Sequence, residues 1–362
     1  MSSLQYSTMK EILAVADSIR PLDETRIQAA AKHMDNLTKP LGSLGDLETI
    51  AARLVTILGG TVKFPLKKSS VVFAADHGVA KAGVSAYPSE VTAQMVLNFL
   101  HNGAAINVLA RQSGAELCIV DVGVNSDFEA HPALISRKVR RSSRNFLEEA
   151  AMTETELLQA LAAGLQIADE NYSRGVQLAV AGEMGIGNTT AASAIAAALT
   201  GRDSDEVTGK GTGIDSQARI HKAAVVRQAL IFHELENQST APLEILRRVG
   251  GLEIAAMAGF CLGSVAHGQI FVCDGFIATS AVAIVCALAP NARQYLVAGH
   301  CSEEPGHRIL LDSIGLSPLL RLNMRLGEGT GAAMAIPIIE SALHIYAEMA
   351  TFESAGVSGA NS

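Results

Sequence analysis

Residues that could bind a phosphate group are concentrated in the glycine-rich stretch Gly182–Thr190. This stretch follows the apolar run 176–181 and precedes the alanine-rich run 191–199. The order predicts a buried strand, a tight turn and a helix N-terminus, where unpaired backbone N–H groups and the helix dipole favour an anion. The spacing is close to that of a Walker A loop, but Asn188 stands where that loop needs lysine. A single phosphate, without a triphosphate or a metal, fits better, and a turn that binds nothing is the alternative.

A second stretch could supply a base. Glu328 lies between Gly327 and Gly329 and precedes a long apolar helix that extends to about residue 350. In an apolar neighbourhood, desolvation raises the pKa of a carboxyl group and makes it a usable proton acceptor. The alternative is a turn carboxylate in water.

Other segments offer further polar contacts. The turn-rich segment 36–48 contains Lys39 and Ser43, which could face a ligand or simply precede a capped helix. A second glycine-rich segment, 207–215, contains Lys210 and Thr212 as possible anion contacts, and the helix after it carries Lys222.

Two histidine-containing segments follow predicted strands. Asp76 and His77 suit either an acid–base or metal pair or a structural hydrogen-bonded couple. His300 and His307 lie near Glu303 and Glu304, but they flank Pro305-Gly306 and lack an H-E-x-x-H spacing. We therefore expect no metal site.

The elements that must position these residues alternate along the chain. Strand-length apolar runs lie at 71–75, 116–122, 176–181, 269–273 and 293–298, with helix-like segments between them. This alternation predicts an α/β fold with a doubly wound, mostly parallel, Rossmann-like sheet. We expect a smaller helical domain from the chain ends (1–60 with 331–351), an α/β catalytic domain (61–330) and a flexible tail (352–362). The apolar helices at 250–290 suit either the core or a subunit interface.

Composition narrows the class of protein. Hydrophobic residues make up 49% of the 362 residues, charged residues 18%, and the formal net charge is −8. Nucleic acid and anionic membranes are therefore unlikely main partners, and the basic run 137–144 is expected to be a solvated face. The five cysteines form no C-x-x-C pair, which indicates buried thiols in a reducing cytoplasm. No signal peptide is evident, and the apolar stretch 276–290 is shorter than the ~20 residues that span a bilayer.

Some activities lack their motifs. The chain has no G-x-S-x-G nucleophile elbow, no complete Walker A loop and no Asp-Asp pair after an apolar strand. If a sugar phosphate is the ligand, its leaving group is therefore not expected to be metal-bound pyrophosphate. A nucleotide-binding regulator stays as an alternative to an enzyme. An NAD-dependent oxidoreductase fits less well because the third glycine and the acidic residue ~20 positions later are missing.

Taken together and in order, several motifs resemble those of the nicotinate-nucleotide–dimethylbenzimidazole phosphoribosyltransferases. The resemblance runs from about Asn36 to Leu343. It rests on the segments 38–45, 75–79, 83–88, 182–190, 211–215, 274–276, Gly299-His300 with Glu304, and 327–331. It implies transfer of the 5-phosphoribosyl group from nicotinate mononucleotide to 5,6-dimethylbenzimidazole in assembly of the cobalamin nucleotide loop. Spacers such as Lys81-Ala82 depart from the family's pattern and leave the preferred base open.

The resemblance also implies roles for individual residues. Glu328 matches the general base of the family. Residues matched to phosphate and ribose binding are Glu183, Gly185, Gly187, Asn188, Thr189, Thr190, Gly211, Gly213 and Lys222. Residues expected to line the base pocket are Ser85, Tyr87, Gln94 and Leu326. The resemblance implies small-molecule substrates, no cofactor, no metal and a homodimer, and we expect a cytoplasmic protein.

Overall fold

Seven strands form one sheet in the computed structural model, which describes residues 6–358. All neighbouring strands pair in parallel, in the order β3-β2-β1-β4-β5-β6-β7. The strands are β1 (Lys68–Ala75), β2 (Ala115–Gly123), β3 (Leu134–Ser136), β4 (Leu178–Met184), β5 (Ile270–Cys273), β6 (Leu296–His300) and β7 (Pro318–Leu320). The order reverses between β1 and β4, so the predicted doubly wound fold is confirmed, and ligands of such sheets bind beyond the strands' carboxyl ends.

Fifteen α-helices in the described part of the chain surround the sheet. They are α1 (Met9–Ser18), α2 (Glu24–Asp35), α3 (Asp46–Ile57), α4 (Glu90–Leu100), α5 (Ala105–Ser113), α6 (Glu154–Ser173), α7 (Asn188–Thr200), α8 (Ser204–Val207), α9 (Ser216–Phe232), α10 (Pro242–Val249), α11 (Leu252–Ala266), α12 (Phe276–Leu288), α13 (Pro305–Ile314), α14 (Thr330–Glu348) and α15 (Phe352–Ala355).

Helices cover both faces of the sheet, which is why the central strands are continuous apolar runs. Along β1, Val71 and Phe73 pack in one core cluster with α6 and α11. The alternate residues Val72 and Ala74 pack in another cluster with α4 and α5. Because successive side chains of a strand point to opposite faces of the sheet, they pack in different core clusters.

The apolar helices at 250–290 belong to the core. On α11, every residue from Leu252 to Val265 is buried, and on α12 every residue from Phe276 to Val285 is buried. Close packing of α11 against α6 depends on glycine, because a Cβ atom on Gly164 would lie 1.9 Å from the Ala256 carbonyl oxygen. Over these spans the helices are thus part of the core.

The expected division of the chain into a small helical domain and an α/β domain stays a proposal. Helices α2 and α3 pack together and α14 packs on α3, but α14 also packs on β6, and α1 packs on α11 and α6. Of the expected tail, residues 352–355 form α15, and 359–362 lie outside the described residues. No helix within residues 6–358 combines the length and apolarity that crossing a membrane requires.

Candidate active site

A narrow pocket lies beyond the carboxyl ends of β4, β5 and β6. Its lining includes three of the predicted site residues, Glu183, Thr189 and Gly211. The other lining residues are Asp274, Gly275, Phe276, Ile277, Ala278, His300, Ser302, Glu304, Arg325 and Gly327.

The first glycine-rich stretch forms the turn between β4 and α7. Gly187, with a φ of +100°, ends the turn, and Asn188 is the first residue of α7. Gly185 must be glycine because a Cβ atom there would lie 2.4 Å from the Ala75 carbonyl oxygen of β1. Thr190 is buried, and its hydroxyl has no hydrogen-bond partner among the described residues. The N–H groups of Asn188 and Thr190 donate to the carbonyls of Gly185 and Gly187. Those of Gly187 and Thr189 have no partner among the described residues and are suited to an anion.

Glu183 is buried at the edge of this turn. Its carboxylate accepts a hydrogen bond from the Asn188 side chain. Burial, followed by the nearby Asp274 and Glu253 carboxylates, raises the pKa of Glu183 to about 8. Glu183 is therefore mostly protonated at neutral pH, and its carboxyl group can donate a hydrogen bond.

Lys222 provides a buried cation next to the turn. Its Nζ donates a hydrogen bond of 2.7 Å to Thr189 Oγ1. The side chain is fully buried, and desolvation lowers the pKa of Lys222 to about 8. Together, Lys222, Thr189 and the α7 N-terminus bring a positive charge, a hydroxyl group and backbone donors to one place.

The second glycine-rich segment closes over Lys222. Gly211, with a φ of +50°, donates its N–H to Glu304 Oε1 at 2.8 Å, and its carbonyl accepts from Arg325 Nη1 at 3.0 Å. Gly213 also has a left-handed backbone, with a φ of +100°. Contacts from two distant segments thus hold this loop against the pocket.

Glu328 lies in a tight turn at the edge of the pocket and is 5% exposed. Its Oε2 accepts a hydrogen bond of 3.4 Å from the N–H of Ile106, in the first turn of α5. That bond lowers the pKa of Glu328, but burial outweighs it, so the pKa is raised overall. The expected desolvation is present, and a carboxylate held this way is a usable base.

Of the four residues expected to line the base pocket, Ser85 is half-buried and the other three are exposed. Ser85 Oγ lies 3.2 Å from Thr212 Oγ1, which joins its loop to the second glycine-rich segment. Tyr87, Gln94 and Leu326 are exposed, and within residues 6–358 no hydrogen bond links them to Glu328. Their role in binding a base stays a prediction.

Sequence reasoning assigned no role to several residues that line the pocket. Asp274 directly follows β5, and Ser302 and Glu304 follow β6, whose last residue is His300. Both His300 ring nitrogens and Glu304 Oε2 are buried without a hydrogen-bond partner among the described residues. Their positions in the sequence could have indicated that they share a site, since polar residues at the ends of parallel strands meet at one edge of a sheet.

In both histidine-containing segments, some side chains are held by hydrogen bonds to other residues. Asp76 Oδ2 accepts from the Asn125 N–H at 2.8 Å, whereas His77 Nε2 lies 2.6 Å from Glu253 Oε1. His307 is held by the Ser302 N–H and by Thr279 Oγ1, and burial lowers the pKa of His307 to about 3. In the part of the chain that the structure describes, no group of three His, Cys, Asp or Glu side chains is arranged to hold a metal.

Lys39 and the basic run 137–144 form ion pairs with carboxylates of this chain. Lys39 Nζ lies 2.7 Å from Glu48 Oε1, which joins Lys39 to the first turn of α3. The basic run 137–144 is paired with Asp121, Asp127, Glu149, Glu156 and Glu170. These carboxylates neutralise the run, and most of its residues are half-buried rather than fully solvated.

The fold and the site together define a doubly wound α/β protein whose pocket suits a small phosphorylated molecule. Residues 19–357 match the profile of a family described as "Phosphoribosyltransferase". Proteins named nicotinate-nucleotide–dimethylbenzimidazole phosphoribosyltransferase are similar over nearly their whole length. That of Geotalea uraniireducens is 49% identical over 96% of this chain and 98% of its own, and that of Chloroflexus aggregans is 48% identical over 97% and 99%.

A solved structure is also similar. The crystal structure of the protein of that name from Thermus thermophilus has a TM-score of 0.88 and 45% identity, and the match covers 94% of this chain and all of that one. The chain belongs to the nicotinate-nucleotide–dimethylbenzimidazole phosphoribosyltransferase family. The resemblance seen in the sequence is confirmed.

Proposed function

We propose that this chain transfers the 5-phosphoribosyl group from nicotinate mononucleotide to 5,6-dimethylbenzimidazole, with Glu328 as the general base. The products are α-ribazole 5′-phosphate and nicotinate, and the reaction serves assembly of the cobalamin nucleotide loop. The observation that carries the assignment of the base is Glu328 itself, a buried carboxylate beside a pocket suited to a phosphate. A protein that only bound a nucleotide would have no need of such a group.

The donor's phosphate is proposed to bind where positive charge and backbone donors converge. Lys222, Thr189 and the N-terminus of α7 supply that environment, with Gly211 and Gly213 beside them. The ribose would then extend along the pocket towards Glu183 and Gly327, which line its other part. This orientation brings C1′ of the donor towards Glu328.

The bond changes balance without a metal or a cofactor. The C1′–N bond of the donor breaks, and its electron pair stays on the ring nitrogen, so the positively charged pyridinium leaves as a neutral ring. A ring nitrogen of the acceptor attacks C1′ from the opposite face, which turns a β-linked donor into an α-linked product. The N–H proton of the acceptor passes to Glu328. Positioning contributes ~7–11 kcal/mol, and proton removal by a tuned carboxylate ~10²–10⁴-fold.

The acceptor is proposed to lie near Ser85, Tyr87, Gln94 and Leu326, with the preferred base set by the shape of that pocket. We also propose a cytoplasmic homodimer. The family resemblance supports both proposals, and five free cysteines are consistent with a reducing compartment. Light scattering on the purified chain tests the dimer, and supplying several benzimidazoles and purines together identifies the preferred base.

The activity is tested by incubating the protein with both substrates and measuring released nicotinate. Glu328→Gln should keep donor affinity within about threefold and lower kcat by about 10²–10⁴-fold, the range for loss of a general base. Glu348→Gln is the control, since it makes the same change at an exposed position at the far end of α14. Unchanged turnover in Glu328→Gln removes Glu328 from the mechanism, and absence of nicotinate release from the unaltered protein overturns the proposed reaction.

A further inference from the structure

The turn that carries Glu328 has an unusual backbone. Gly327, Glu328 and Gly329 have φ values of +84°, +62° and +89°, so three consecutive residues are left-handed. Glycine adopts this conformation freely, but for a glutamate it is strained by about 1–2 kcal/mol. Surrounding contacts must therefore hold the turn in place.

Asp274 makes two of those contacts. It directly follows β5 and is 1% exposed. Its Oδ2 accepts from the Gly329 N–H at 3.2 Å, and its Oδ1 accepts from the Ala332 N–H at 2.9 Å. These are N–H groups at the start of α14 that have no partner within the helix. One side chain thus joins the end of β5 to both the turn and the first turn of α14.

The opposite side of the turn is closed by β4. A Cβ atom on Gly182 would lie 2.2 Å from the Glu328 carbonyl oxygen, and one on Gly327 would lie 2.1 Å from Glu183 Oε1. The turn is therefore confined between the two strand ends, and only Asp274 bonds to it from the β5 side with a side chain among residues 6–358. Its carboxylate is the group that can fix the direction of Glu328.

We propose that Asp274 is a positioning residue for Glu328: by binding the backbone on the C-terminal side of the turn, it holds the base at the edge of the pocket. This inference rests on the proposed function and extends it to a residue that does not touch the reacting atoms. Displacing a reacting group by about 1 Å costs about 10²-fold in rate, so loss of Asp274 should act on turnover more than on donor binding.

Asp274 also acts on Glu328 through charge. Its carboxylate raises the pKa of Glu328, after burial, while the Ile106 N–H lowers it. The other titratable groups here are Glu183 on β4, Glu253 on α11 and His300 on β6, whose Nε2 lies 3.7 Å from Asp274 Oδ1. His300 and three backbone N–H groups favour the charged form of Asp274 and offset part of the rise in pKa that burial causes. Removing the Asp274 charge should therefore lower the pKa at which Glu328 loses activity in acid.

The test compares Asp274→Asn and Asp274→Ala with the unaltered protein in the nicotinate-release assay. Asparagine keeps one acceptor for the turn, so we expect kcat to fall by about 10-fold in Asp274→Asn and about 10²-fold in Asp274→Ala. Donor KM should stay within threefold, and the acid limb of the kcat profile should move to lower pH in both variants. Asp121→Asn is the control: it removes a buried strand-end carboxylate that accepts from the Val124 N–H at 2.9 Å, away from the pocket.

The outcomes separate this inference from the proposed function. If the unaltered protein releases no nicotinate, the reaction itself is wrong. If it does, and Asp274→Asn retains the kcat and pH profile of the unaltered protein, Asp274 does not position Glu328. The inference is also overturned if activity falls equally at every pH and the fall matches the loss of folded protein. Melting curves measure that loss, and Asp121→Asn shows the effect of removing a buried carboxylate elsewhere.

Discussion

Replacing Lys222 by methionine should make the protein more stable and a poorer enzyme. Lys222 is fully buried, its Nζ donates only to Thr189 Oγ1, and it forms no ion pair within 4.0 Å in the described residues 6–358. A buried charge without a partner destabilises the folded state. Methionine has a similar length and no charge, so it can fill the same space.

The size of the effect follows from the pKa. Burial lowers the pKa of Lys222 from 10.5 to about 8, and one pKa unit corresponds to about 1.4 kcal/mol, so keeping the charge at pH 7 costs about 3 kcal/mol of folding free energy. Loss of the bond to Thr189 returns about 1 kcal/mol. The net gain of about 2 kcal/mol raises Tm by about 3 °C for a chain of this length. Because the unfolded state binds the extra proton between pH 8 and 10.5, this cost falls as pH rises through that window.

Thermal melting and donor kinetics test the prediction together. In Lys222→Met, Tm at pH 7 should rise, donor KM should increase by about 10–100-fold through loss of a charged hydrogen bond, and inorganic phosphate should no longer raise Tm. Lys68→Met is the contrasting control, because Lys68 is buried but paired with Glu340 at 2.5 Å. That variant should lose about 1–3 kcal/mol of stability and keep its donor KM. A fall in Tm for Lys222→Met with unchanged donor KM would refute the reasoning.

Three further predictions concern the same pocket. Glu304→Gln should raise KM for nicotinate mononucleotide by about 10-fold, because Glu304 Oε2 is buried, has no partner among the described residues and is available to a ribose hydroxyl. With a 2′,3′-dideoxy donor, the variant and the unaltered protein should have the same KM. Gly182→Ala should lower kcat by about 10²-fold, since its Cβ atom would displace the Glu328 carbonyl, whereas Gly268→Ala, at a position with open space, should not. Donor kcat/KM should fall as pH rises from about 7 to about 9, because Lys222 loses its positive charge and Glu183 gains a negative one near pH 8; a flat profile would contradict both assignments.

Local patterns predicted the elements that carry the site. The apolar run 176–181 overlaps β4, and the turn before α7 lies within the glycine-rich stretch. Such signals lie within a few neighbouring residues, so one chain is enough to see them. The edge strands β3 and β7 were missed because each has three residues, none of them fully buried, and β7 begins with a proline.

Contacts between distant segments could not be predicted in the same way. Glu304 and Gly211 are 93 residues apart, and His77 and Glu253 are 176 apart. Spacing along the chain does not determine which strand ends become neighbours, because that depends on the order of strands in the sheet. The adjacent Asp76 and His77 show this well, since their side chains bond to two different segments.

The strand order also places Glu328, the proposed base, between two sides of the sheet. The sheet reverses direction of growth between β1 and β4, which opens a crevice at the carboxyl ends of these strands. The backbone of the Glu328 turn is held from β4 and β5, the side that carries the proposed phosphate site. Its carboxylate instead accepts from α5, which packs on β2 across the crevice. A base placed at this junction can receive a proton from an acceptor that approaches from the β1–β2 side while the donor stays on the β4–β6 side, and this is the geometry that attack on the opposite face of C1′ requires.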